Sequence, residues 1–280
     1  MEKSFGRKRI GLALSGAVAR GFTHLGVLIA LERSGIPIDV ITGTSAGAMV
    51  GALYAAGITT AEMQNQIGHL SWLKIAGLVW PREGFVSFAR MERWLTQIIG
   101  DVTFAQLKMP FAAVATDLQR GEPFTLREGS VARAVHASSA VPGFVVPVRM
   151  YGRILCDGGV SANIPIAAAR ELGADYVIGV DLFAHHIRKG WGPLRYGFAA
   201  IEALVRNSGD GRARADYVIT PELAGSYYLR MSNYRERIQL GINSTEAALP
   251  AIRAALAGLD AGPVMPLLSA PLDRPELVAP

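Results

Sequence analysis

The chain contains one cysteine, Cys156, so no internal disulfide can form, and the composition fits a reducing compartment. Charge is also sparse. Only 18% of residues are charged while 50% are hydrophobic, which excludes a self-repelling disordered chain. No apolar run reaches the ~18 to 20 residues that a spanning helix needs. There is no Lys/Arg run either, and a net charge of +5 from 28 basic and 23 acidic residues is too small to indicate a nucleic-acid partner. The same excess fits a weak attraction to an anionic membrane surface. The acids Asp117, Asp157, Asp175 and Asp181 are scattered, without a His/Cys cluster at ligand spacing, so neither a metal nor another cofactor is expected. Together these features point to a cytoplasmic protein, peripheral to a membrane at most; they do not select an oligomeric state.

No repeat and no linker divides the chain before residue 260. A single domain is expected over 1–260, followed by a tail over 261–280 that holds Pro263, Pro266, Pro271, Pro275 and Pro280. "MEKSFGRKR" followed by "IGLALSGAVA" imitates a secretory signal, but Ile10 to Leu14 is read as a first strand entering a glycine-containing turn, an element that cleavage would delete. Strands at 9–15 and 39–42 alternate with helices at 21–34 and 46–56, the pattern of a parallel sheet covered by helices on both faces. Further strands fit 111–116, 145–149, 153–156, 176–181 and 216–220. Helices fit 91–99, 130–138, 164–172, 196–207 and 234–257, the last interrupted by Pro250.

One serine stands where a strand meets a helix. Gly43-Thr44-Ser45-Ala46-Gly47 matches G-x-S-x-G, the nucleophile elbow. Such a turn needs small flanking residues so that neighbouring backbone can approach. It lifts the Ser45 hydroxyl above the sheet edge, sets the Ala46 amide beside it, and aims the positive end of a helix at the site. A serine hydroxyl needs a base. Of the five histidines (24, 69, 136, 185 and 186), only His185 and His186 follow a strand end, the position suited to a Ser-His-Asp esterase. Asp157 is the other candidate. It ends a strand and is followed by Gly158 and Gly159, which let a second backbone segment come close. Partial desolvation would strengthen it as a base. The residues leave both options open.

A third stretch, "LALSGAVARGFTHLGVL" over 12–28, places Gly16 and Gly21 around a short loop between strand and helix. Its backbone amides can face an anion, and Arg20 adds a positive charge at its far end. The G-K-[ST] ending of a phosphate loop is missing, and Val18 breaks a dinucleotide fingerprint.

With S-G-A-V-A-R-G at 15–21, G-T-S-A-G at 43–47 and D-G-G at 157–159, the chain resembles the patatin-like phospholipases, in particular bacterial members related to neuropathy target esterase. "RAVHASSAVPGFVVPV" over 133–148 and "NIPI" over 163–166 extend the resemblance, which covers roughly residues 8 to 220. It implies a three-layer α/β/α sandwich around a mostly parallel sheet. It also implies a catalytic dyad, with Ser45 as nucleophile and Asp157 as general base, and an oxyanion hole from Gly16, Ala17, Val18 and Ala46. The substrate would be a lipid or fatty-acyl ester, cleaved through an acyl-enzyme. The family's loop is usually Gly-Gly-Gly-x-Arg-Gly, whereas here it is Gly16-Ala17-Val18-Ala19-Arg20-Gly21. Valine disfavours positive φ. If the loop needs φ > 0 at position 18, a misaimed donor would cost ~10²–10³ in turnover, leaving a weak enzyme or a silent lipid-binding protein. With Ser45 and Asp157 both present, a working enzyme is the expectation.

Between serine and acid, "LSWLKIAGLVWPREGFVSFARMERWL" over 70–95 mixes tryptophans with apolar and basic residues. That composition suits an interfacial flap, and it suits a buried cover over the sheet equally well.

Overall fold

The computed structural model describes residues 7–183, 194–209, 211–223 and 231–260. His185, His186 and the tail 261–280 lie outside them. Ten strands occur in the described residues: β1 (Ile10–Leu14), β2 (Val40–Thr44), β3 (Gly77–Leu78), β4 (Val86–Ser87), β5 (Phe111–Asp117), β6 (Glu122–Leu126), β7 (Val148–Met150), β8 (Arg153–Asp157), β9 (Tyr176–Val180) and β10 (Tyr217–Ile219). The helices are α1 (Phe22–Arg33), α2 (Ala46–Ala55), α3 (Thr60–Gly68), α4 (Trp72–Ile75), α5 (Ala89–Ile99), α6 (Val131–Ser138), α7 (Ile166–Glu171), α8 (Leu194–Arg206), α9 (Gly211–Arg214) and α10 (Tyr234–Asp260).

Eight strands form one sheet in the order β10-β9-β1-β2-β5-β8-β7, with β6 on β5. The segment from β10 to β5 is parallel throughout. β6, β7 and β8 are antiparallel to their neighbours, so the sheet is mixed but mostly parallel. The two-residue period of a strand divides the core. Leu12 and Leu14 of β1, Ile41 of β2 and Ile178 of β9 pack in the large cluster with α1, α2 and α10. Ala13, Val40 and Val177 point the other way, into a smaller cluster with Ile166 and Ala169 of α7. This gives the three layers that the alternation predicts.

Several elements fell outside the sequence reading. α3 has a full capping box between Thr59 and Glu62. β6 carries Pro123, tolerated because a strand edge needs no donor there. The strand expected at 145–149 starts only at Val148, since 141–145 forms a turn closed by the Val145 amide on the Val141 carbonyl (2.8 Å). α10 runs on through Pro250. It lies close against α1: a Cβ on Gly26 would stand 2.0 Å from the Ile238 carbonyl oxygen, and one on Gly241 2.2 Å from that of Thr23.

The register around β5 positions everything that follows. β6 runs along one edge of β5, from Ala113 to Asp117. A strand has only two edges, so β2 and β8 must share the other. β2 occupies it up to the pair Thr44–Val114, and β8 takes over with the pair Asp157–Ala115. β2 climbs towards Ser45 while β8 descends to Asp157, and the two strands meet head-on.

Candidate active site

Ser45 follows β2 directly and caps α2, with φ 53 and ψ −118. A non-glycine residue is rarely found there, and such strain persists only where neighbours enforce it. Here they do. The Ser45 amide donates to Ser138 Oγ (2.9 Å), and Ser138 in turn donates to the Val114 carbonyl (2.6 Å). Gly47 lets the elbow close: a Cβ there would lie 2.3 Å from the Leu14 carbonyl oxygen, and one on Gly43 would meet Gly47 at 2.4 Å.

Asp157 is held from several directions. Its amide donates to the Ala140 carbonyl (2.8 Å), and its own carbonyl accepts from Thr116 Oγ1 (2.9 Å). Because Thr116 has spent its only proton, Ser161 is the donor in the 2.7 Å contact between the two hydroxyls. The carboxylate accepts the Gly159 amide at Oδ1 (2.8 Å), and the Ser45 side chain lies beside it, close enough to lower its pKa. Ser45 is 8% exposed and Asp157 7%, so the carboxylate has little water around it. Burial raises its pKa from 3.8 to about 6, against the lowering effect of the Ser45 and Gly159 hydrogen bonds.

The loop after β1 wraps the serine. A Cβ on Gly16 would stand 3.4 Å from Ser45 Cβ, and one on Gly21 2.6 Å from Ala46 Cβ. Val18 takes φ 53, in the region that glycine favours and valine rarely adopts. A 3-10 turn follows over Val18–Gly21, its first bond running from the Arg20 amide to the Ala17 carbonyl (3.1 Å). The amides of Ala17 and Val18 precede that bond and are not used by the turn. The Ala46 amide opens α2 and has no partner within the helix. Gly16 departs from the expectation: its amide donates to Asn163 Oδ1 (3.0 Å) and is engaged in holding the loop. Arg20 is buried at the end of the turn.

Replacing Val18 with glycine is expected to stabilise the protein by about 1 kcal/mol. Relief of ~1–3 kcal/mol of backbone strain outweighs the ~0.5–1 kcal/mol entropic penalty of glycine. The check is the urea midpoint of Val18→Gly; a lower midpoint than the parent's would contradict it.

Residues that sequence reasoning assigned no role hold the same site. Ser138 and Asn163 have just been described. His24 is fully buried with Nε2 2.8 Å from the Ser15 carbonyl, and burial lowers its pKa to about 4. A neutral ring facing a carbonyl must donate from Nε2. Arg237, buried on α10, donates from Nη1 to the Ala19 carbonyl (2.6 Å) and ties the loop to the last helix. Ser138 and Asn163 do lie in the stretches 133–148 and 163–166, but neutral side chains that bond to backbone leave no charge or spacing signal. His136 instead pairs with Glu92 (2.9 Å), on the α5 side of α6. Among the described residues no group of three or more His, Cys, Asp or Glu side chains could hold a metal ion. No described helix is long and apolar enough to cross a membrane. A cavity of about 290 Å³ lies behind Asn163, but its lining includes Asp181, Arg206 and Arg212, which suits polar contents rather than an acyl chain.

Fold and site together define an α/β protein with a serine elbow facing a buried carboxylate beneath a loop of backbone donors. The chain belongs to the patatin-like phospholipase family, whose profile matches residues 12–170. An uncharacterized NTE family protein of Mycobacterium tuberculosis is 37% identical to it over 177 residues, which is 62% of this chain and 49% of that protein. The lysophospholipase nte1 of Aspergillus fumigatus is 32% identical over 181 residues, 62% of this chain and 12% of that protein. The chain thus spans about half or less of the length of these relatives. Among solved structures, VipD of Legionella pneumophila superimposes with a TM-score of 0.59 at 15% identity, covering 88% of this chain and 67% of that one. ExoU in complex with SpcU, from Pseudomonas aeruginosa, gives 0.50 at 17% identity, covering 90% and 52%. Both likenesses are of fold.

Proposed function

We propose that the protein is a lipid acyl hydrolase acting through a Ser45–Asp157 dyad. The observation that carries this reading is the Ser45 side chain set against a buried carboxylate of raised pKa where β2 and β8 meet on one edge of β5. Ser45 Oγ attacks the ester carbonyl as its proton passes to Asp157. Negative charge builds on the carbonyl oxygen, where the amides of Ala17, Val18 and Ala46 and the N-terminus of α2 stabilise it. The tetrahedral adduct collapses: the C–O bond to the alcohol breaks, Asp157 returns the proton to that oxygen, and the acyl group stays on Ser45. Water then attacks the acyl carbonyl, giving its proton to Asp157, and the fatty acid leaves as Ser45 regains its hydrogen. A base with a pKa near 6 is ionised at neutral pH yet basic enough to accept the proton.

Phospholipid or lysophospholipid is the substrate class that the family favours, and the fungal relative's name points the same way. The test is labelling with a fluorophosphonate probe. The protein is expected to be labelled at Ser45, with both labelling and release from a p-nitrophenyl ester lost in Ser45→Ala. A protein that takes no label and releases no product would be the silent lipid-binding alternative.

A further inference from the structure

The segment 72–90 carries the three most exposed large apolar side chains among the described residues. Leu73 on α4 is 83% exposed, Leu78 on β3 is 91% exposed and Trp80, just after β3, is 81% exposed. Phe85 and Phe144 add half-exposed rings. Side chains this apolar are ordinarily buried unless they have a partner. Their scaffold is well held. β3 pairs with β4, the Phe85 and Val86 amides both donate to the Phe144 carbonyl (2.9 and 3.1 Å), and the Val146 amide donates to the Val86 carbonyl (2.8 Å). Arg90 donates to the carbonyls of Leu73 and Ala76, which fixes α4 against α5.

Charge indicates what would cover the patch. Over 72–93 both acids are engaged, Glu83 with Arg149 and Glu92 with His136. Lys74, Arg82, Arg90 and Arg93 are all exposed, so the segment presents a net positive rim around its apolar residues. Tryptophan and leucine beside cations are what a lipid headgroup boundary accommodates. The patch is also tethered to the segment that supports Asp157. Phe144 is four residues beyond Ala140, whose carbonyl accepts the Asp157 amide, so the two α-carbons lie within ~14 Å.

We infer that the α4–β3–β4 segment docks onto an anionic phospholipid surface, with Leu73, Leu78 and Trp80 entering the headgroup boundary and Lys74 and Arg82 facing acidic headgroups. The inference rests on the lipid-hydrolase reading and adds to it the surface from which substrate is drawn. Docking there holds the protein at the surface that contains its substrate.

The test uses the full chain with Ser45→Ala, so that vesicles stay intact, and a second protein that also carries Leu78→Ser and Trp80→Ser. Sedimentation with sucrose-loaded vesicles of equimolar phosphatidylcholine and phosphatidylglycerol is expected to fall about tenfold or more in the second protein. Binding of the first should weaken on phosphatidylcholine alone and with added salt. Equal sedimentation of the two proteins, or none of the first, would overturn the proposal. So would self-association of the first that the second loses, without vesicle binding, which would assign the patch to a second copy of the chain. Turnover of a soluble short-chain ester separates the two readings. With an intact Ser45, the Leu78→Ser, Trp80→Ser protein should match the wild type; failure of the wild type itself on that ester would count against the hydrolase and leaves the vesicle result to be read independently.

Discussion

Asp157→Asn is expected to lower turnover by about 10²–10⁴-fold, the range for loss of a general base, while making the protein more stable at pH 8. Asparagine has the same shape. Its Oδ1 can still accept the Gly159 amide, but Nδ2 would donate towards Ser45 Oγ and cannot take its proton. The gain in stability follows from the raised pKa. Between its ordinary value of 3.8 and about 6 the folded state holds a proton that the unfolded state has released. Stability therefore falls as pH rises through this window, and above it the ionised side chain costs on the order of 3 kcal/mol. Asparagine escapes that penalty. Thermal melts of the two proteins should differ by several degrees at pH 8 and converge near pH 4. In the parent, kcat/KM should drop about tenfold per pH unit below about pH 6, as the base becomes protonated. An unchanged melting temperature at pH 8, or a rate flat down to pH 5, would show that this carboxyl is neither desolvated nor the base.

Gly158→Ala is expected to damage fold and catalysis together. A Cβ at this position would lie 2.0 Å from the Val114 carbonyl oxygen and 2.7 Å from its carbon. Both are backbone atoms of β5, so no side-chain rotation relieves the clash. The turn after β8 must lift away, and Asp157 with it. Overpacking against a rigid neighbour typically costs ~1–3 kcal/mol, and a backbone obstacle puts this variant at the upper end, about 3 kcal/mol. The Val114 carbonyl also accepts from Ser138, so a shift of β5 reaches the Ser45 amide as well. Urea denaturation and ester turnover should therefore fail in parallel. Normal turnover with a lowered urea midpoint would show that the turn can move without carrying the carboxylate.

Local features of the site were legible in the sequence, and long-range ones were not. The elbow at Ser45 depends on a strand, small residues and a helix that are contiguous, so its residues announce it. The proximity of Asp157 to Ser45 does not follow in this way, because it depends on β8 running antiparallel along β5 just where β2 stops. The residues alone left Asp157 and the His185–His186 pair as alternatives, and only the family resemblance chose between them. The φ of Val18 ran against its propensity: packing of the loop against Ser45, Ala46 and Arg237 overrides the local preference of one β-branched residue. The bond made by the Gly16 amide was hidden for a related reason, since its acceptor is a side chain far along the chain, Asn163. α3 was readable and went unread, as the Thr59 to Glu62 spacing is a capping signal. β6 was masked by Pro123 and by its polar, half-exposed face.

The shared edge of β5 makes the meeting of Ser45 and Asp157 all-or-none with respect to strand alignment. Sliding β8 by one residue would carry the acid ~3.3 Å along the ladder and turn it to the opposite side of the sheet. No intermediate placement exists, so insertions or deletions in the Tyr151–Gly152 hairpin between β7 and β8 are tolerable only if they leave that alignment untouched.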